Sequence, residues 1–128
     1  MADADDVRRI ALLLPATIQN GSAFEVGKKG FAWFYQEKVE GVRGRVERRD
    51  VLAVRVANLE EKEALLAADP EKFFTTAHYN NYPAILVRLP AVGSEELIEL
   101  LSDAWRTRAP RKLVAPIDAE AGEQNPVA

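Results

Sequence analysis

Chemistry at neutral pH needs titratable or nucleophilic side chains in company, and this 128-residue sequence offers few of them. His78 is its only histidine, hence the one group able to work as a general base near neutrality without a large pKa shift. It stands in the run HYNNYP, whose asparagines and proline form turns, and there a histidine is more often a packed or hydrogen-bonding residue than a ligand. Ser22, Ser94 and Ser102 are the only serines; one is placed to cap a helix, one falls inside it, and no triad is visible. With no cysteine there can be no disulfide, iron–sulfur cluster or thiol nucleophile, and zinc would have to be held by one histidine plus carboxylates. The pairs Glu60/Glu61 and Glu95/Glu96 are adjacent in sequence, so on a helix they diverge and do not form an acid–base dyad. The expectation is a protein without catalytic residues, cofactor or metal.

Basic residues are the stronger signal. The chain carries a net charge of -3 and a pI near 5.3, yet Glu25 to Arg55 holds eight basic and five acidic side chains, whereas 56–128 holds seven against twelve. Two local clusters stand out: Lys28 and Lys29 in GKKG, and Arg43, Arg45, Arg48 and Arg49 in KVEGVRGRVERRD. GKKG lacks the spacing of a phosphate loop, so nucleotide binding gains nothing from it. Lysines in a turn commonly serve solubility, but a protrusion touching phosphate also needs charge at its tip. The arginine-rich run is either a solvated connection, partly neutralised by Glu47 and Asp50, or an anion-binding element. A continuous positive face joining the two clusters is what a nucleic-acid reading requires.

The elements that position these residues follow from periodicity. Val7, Ile10, Ala11 and Leu14 predict a helix over 3–14, opened by Asp3, Asp5 and Asp6 and closed by Pro15. Gln19 to Ser22 reads as a polar turn, Phe24 and Val26 as a short strand, and Phe31 to Tyr35 as the strongest strand in the chain. The segment 38–50 is expected as a long loop or protruding hairpin. Val51 to Ala57 alternates, with Leu52, Val54 and Val56 facing a core and the other side partly wet. Asn58 and Glu61 predict a capping box at the head of a helix reaching Asp69. Phe73–Ala77 and Ala84–Leu89 are two further β-rich runs, and Ser94 is expected to cap a last helix whose stripe is Leu97, Leu100, Leu101, Ala104 and Trp105. Arg106, Arg108, Arg111 and Lys112 crowd the end of that helix, where its dipole accounts for at least the first two. Most aromatics must be core; Tyr35, Tyr79 and Tyr82 are the expected exposed ones. One domain over 1–114 and a disordered tail over 115–128 follow from the composition.

In order and spacing, VRRIALLLP, GSAFEVGKKGFAWF, LEEKEALLAADPEKFFTTAHYNNYPAILVRL and LIELLSDAWRTRAPRKL resemble the MmcQ/YjbR-like family of small bacterial proteins, over most of 7–113. The resemblance implies an α+β fold similar to that of CyaY, an antiparallel sheet with helices packed on one face, and a double-wing arrangement of protruding hairpins proposed to bind DNA.

The expected function is therefore non-enzymatic DNA binding, with Lys28, Lys29, Arg43, Arg45, Arg48 and Arg49 on phosphate. The alternative is a protein-interaction or small-ligand module using the sheet face and the turn of His78, Tyr79 and Tyr82. The N-terminus has neither a signal-peptide pattern nor a spanning apolar run, so a cytoplasmic protein with no membrane partner is expected.

Overall fold

The computed structural model describes residues 1–114; the stretch read as a tail, 115–128, lies outside the described residues. Its spine is a long antiparallel pair, β3 (Lys29–Lys38) and β4 (Arg45–Arg55). On one side β3 pairs with β2 (Ala23–Val26), which pairs with the edge strand β1 (Ile18–Asn20). On the other side β4 pairs with β6 (Ala84–Arg88), and β5 (Phe73–Phe74) closes that edge. The six-stranded sheet runs β1-β2-β3-β4-β6-β5 with every neighbour antiparallel, and α-helices complete an α+β fold.

Helices α1 (Ala4–Leu13) and α3 (Ser94–Arg108) cover one face of the sheet. At the head of α1, Asp3 Oδ1 accepts from the Asp6 N–H at 2.9 Å and Asp6 Oδ2 accepts from the Asp3 N–H at 3.1 Å. The Arg9 guanidinium beside Asp6 holds that carboxyl below its ordinary range. The Ala2 N–H reaches the Leu89 and Val92 carbonyls near the start of α3, while Trp105 Nε1 donates to the Pro15 carbonyl at 3.0 Å near its end, so the two helices run in the same direction. Between them and the sheet lie Val7, Phe24, Phe31, Phe34, Leu52, Val54, Ile85, Leu97, Leu101 and Trp105, all buried. Helix α2 (Leu59–Ala68) leans Leu65 and Leu66 on the same core.

Several expectations are corrected. Gln19 and Asn20 belong to β1, because pairing with β2 overrides their turn preference. Gly93, not Ser94, occupies the cap position of α3, and Ser94 is the first helical residue with no side-chain capping bond. Glu61 accepts from the Ala57 N–H at 3.2 Å, one residue before Asn58, so the box at α2 is only half closed even though Asn58 caps the Glu61 amide at 2.8 Å. The expected strand 73–77 is two residues long, and 77–79 forms a 3₁₀ turn instead. The far side of β4 is drier than expected, with Val51 and Ala53 buried among Tyr79, Ala84 and Leu86, while Arg55 stays half-buried.

Replacing Leu97 by Ala should cost about 2–5 kcal/mol in denaturant unfolding. Ile98→Ala, at an exposed position on the same helix, should stay within about 0.5 kcal/mol.

Candidate functional site

The two basic clusters sit at opposite ends of β3. The turn between β2 and β3 consists of Gly27 and Lys28, with φ of +57° and +65°, and Val26 pairs directly with Lys29. Positive φ at both central positions is the twist-matching geometry of a two-residue hairpin. At the other end, after ten residues or about 30 Å of strand, lies the connection from β3 to β4. No single protrusion joins Lys28 and Lys29 to the arginines.

That second connection settles the loop-or-hairpin question: 38–50 is a hairpin. Tyr35 to Lys38 pair with Arg48 to Arg45, and among the described residues no third strand pairs with them. A register jump lies at the root of this ribbon, where Phe34 pairs with Leu52 but Tyr35 pairs with Arg48, leaving Arg49, Asp50 and Val51 as extra residues on β4. Such a bulge bends the strand and raises its twist.

The four arginines are not equivalent. Arg48 is neutralised twice over: Nε and Nη2 grip both oxygens of Asp50 at 3.0 Å, and Nη1 donates to Glu37 at 2.6 Å. Arg48 in turn holds the Asp50 carboxyl below its usual range, while Asp50 and Glu37 push the Arg48 pKa up. Arg45 is exposed and spends one donor on the main-chain carbonyl of Gln36 at 3.1 Å, so its charge stays uncompensated by that bond. Arg49 lies over the Phe34 ring, 5.7 Å from its centroid, and shares a shallow surface cavity with Asp3 and Asp5. Arg43 is exposed in the connecting turn between Gly41 and Gly44. Acids share the ribbon: Glu47 accepts from the Ser22 hydroxyl at 3.0 Å, and Gln36 Nε2 donates to that hydroxyl.

The expected ligand-facing turn is an aromatic cover for the second face of the sheet. Tyr79, expected outside, is buried at 7% exposure: its ring packs on Tyr35, and its hydroxyl accepts from Trp33 Nε1 at 3.0 Å. Trp33, expected in the core, is only half-buried. Tyr82 remains 41% exposed, with the Arg55 guanidinium 5.0 Å from its ring centroid, and His78 is exposed, edge-on to Tyr79. Burial pushes the Tyr79 phenol up. His78, Tyr79 and Tyr82 thus come together, but what they bring together is mainly packing.

Lys62 anchors this cover and was legible in the sequence only as an ordinary helix residue. It is 4% exposed, and its Nζ donates to the Tyr79 and Tyr82 carbonyls at 2.5 and 2.9 Å, tying α2 to the 77–82 turn. Burial lowers its pKa. Beside the cover, a cavity of about 500 Å³ opens at the hairpin root, lined by Tyr35, Arg48, Val51, Phe74, Thr76 and Arg88 among others. Arg88 lies 4.2 Å from the Phe74 centroid, and Thr76 Oγ1 is buried with no hydrogen-bond partner among the described residues. Among the described residues no group of three or more His, Asp or Glu could hold a metal ion, and no helix is long and apolar enough to cross a membrane.

A family model described as YjbR matches residues 14–107. The chain is 36% identical to the uncharacterised proteins Rv2570 of Mycobacterium tuberculosis and Mb2600 of Mycobacterium bovis, over 95% of its own length and the whole of each relative. No solved structure matches it.

Removing the Lys62 ammonium leaves the Tyr79 and Tyr82 carbonyls with only the Tyr82 and Ala84 amides as donors, so Lys62→Ala should destabilise by about 1–3 kcal/mol and loosen the 77–82 turn, read by denaturation and near-UV circular dichroism. Because the folded-state pKa of Lys62 lies below its unfolded value, the unfolded chain binds more protons there. The cost of burying the charge is fully present below the folded pKa and is relieved as pH rises toward 10.5, so wild type should gain stability relative to Lys62→Met on the alkaline side.

Proposed function

Because the chain belongs to the YjbR family, and because it presents solvated cations on two hairpins, we propose that it is a non-enzymatic, cytoplasmic DNA-binding protein whose hairpins contact phosphate as a double wing. The observation that carries the reading is the β3–β4 ribbon, which projects past its neighbours with Arg43 and Arg45 exposed and without an ion pair among the described residues. Arg49 lies at its root, and Lys28 and Lys29 form the second tip. A separation of about 30 Å along β3 is close to the roughly 34–36 Å turn of a B-form duplex, so DNA lying along the strand would meet the two tips about one turn apart. Arg48 is removed from the contact set, since two carboxylates already satisfy it. Contacts of this kind position a protein on phosphate without reading sequence.

A second reading has its own observation: the cavity at the hairpin root offers an aromatic and aliphatic floor beside Arg88 and the unpartnered Thr76 hydroxyl. A small planar carboxylate suits those groups, with its ring on Tyr35 and its charge on the Arg88 guanidinium that covers Phe74.

Fluorescence anisotropy with duplex DNA separates the readings. Wild type should bind at about 50 mM salt with a negative log–log salt slope; Arg43→Ala with Arg45→Ala should reduce that slope by about 2. Arg48→Ala should leave the slope unchanged. Absence of binding at that salt overturns the DNA reading, and a ligand-detected NMR screen of aromatic carboxylates, with Val51→Phe as the filled-cavity control, then tests the second.

A further inference from the structure

We propose that the DNA-contacting surface extends beyond the hairpins to the exit of α3, where Lys28, Lys29, Arg111 and Lys112 make one cationic end; this rests on the DNA-binding reading above. The observation behind it is a contact between distant parts of the chain. A β-carbon built at Gly27 would lie 3.1 and 3.3 Å from the ring of Pro110, so the β2–β3 turn is packed directly against the chain leaving α3. Lys28 and Lys29 follow that glycine and Arg111 and Lys112 follow that proline, and all four are exposed.

Neither pair is explained by local stability. Lys28 sits at φ +65°, where glycine is accommodated with less strain than any side chain, so the turn itself gains nothing from a lysine there. Cations near a helix C-terminus are favoured by its dipole, but α3 closes at Ala109, and Arg111 and Lys112 come after it. They open a further turn, in which the Leu113 and Val114 amides bond to the Pro110 carbonyl, and the start of a helical turn favours acids over cations. Among the described residues none of the four has an ion-pair partner, and the acid nearest the turn along the chain, Glu25, accepts from Asn20 Nδ2 at 3.1 Å. Arg108 adds a buried Nε in the same exit, without a hydrogen-bond partner among the described residues.

Exposed cations converging from two elements, without an ion pair among the described residues, form a charge patch, and the backbone of a duplex is the partner such a patch suits. Each contact with phosphate releases counterions, so the number of lysines and arginines engaged is read directly from the salt slope. The contact at Gly27 also fixes the two pairs relative to each other, which distinguishes this end from the ribbon, where Glu37, Glu47 and Asp50 interleave the arginines.

The test uses the full chain and a 20-base-pair duplex at several salt concentrations. Lys28→Gly with Lys29→Ala should keep or raise the melting temperature, since the glycine relieves a strained backbone, yet lower the salt slope by about 2; Arg111→Ala with Lys112→Ala should lower it by the same amount. Combining the four should lower it by about 4. If the hairpin variants lower the slope and Arg111→Ala with Lys112→Ala does not, the DNA reading stands and the extension to the exit of α3 is overturned. If wild type does not bind at about 50 mM salt, both are overturned.

Discussion

The pairing of β3 with β4 is the constraint on which the rest of the structure depends. Two strands of ten and eleven residues are about twice the common length, and no neighbour on either side is long enough to match them. Over Ala32 to Phe34 the pair is central sheet, flanked by β2 and β6; beyond the register jump it stands alone. The same two strands therefore build the core and carry the protrusion. The three residues spent in the jump mark where one role passes to the other, and Arg48 with its two carboxylates ties the strands together just past it.

Burial on both sides of the sheet follows from that centrality. Phe34, Leu52 and Val54 face the helices, while Trp33, Ala53 and Val51 face a second, smaller cluster closed by Tyr79. Among the described residues no α-helix lies on the second cluster; a 3₁₀ turn covers it, held by a lysine from α2. A buried ammonium bonded to carbonyls, with no carboxylate partner among the described residues, is a costly fastening. It is specific in return, since one donor reaches both the Tyr79 and the Tyr82 carbonyl, beside the Tyr82 and Ala84 amides that also bond to them.

The helical layer was legible in the sequence because its signals are local. Three acids before an apolar stripe gave α1, and the spacing of Leu97, Leu101, Ala104 and Trp105 gave the buried face of α3. The strongest strands were legible for the same reason. What was not legible arises from pairing and from distance along the chain. Ile18–Asn20 has weak β character and becomes a strand only because β2 offers an edge. Tyr79 reads as a turn residue until Trp33, forty-six positions away, supplies a donor for its hydroxyl. Arg48 cannot be told from Arg43 or Arg45 in a list of charges, although Asp50 two residues later hinted at its partner. Lys62 looks like any lysine in LEEKEALLAA, since nothing there shows that α2 turns this position under the 77–82 segment.

The two tryptophans mark the two faces of the sheet. Trp105 is fully enclosed among helices and bonded to a main-chain carbonyl, whereas Trp33 is half-exposed and bonded to a phenol. Their indoles thus sit in media of different polarity, one dry and one partly wet, so Trp105 is expected to emit to the blue of Trp33. An event confined to the aromatic cover would shift the redder component alone. Loosening of the helical layer would shift the bluer one, so the protein carries an optical reporter for each of its two clusters.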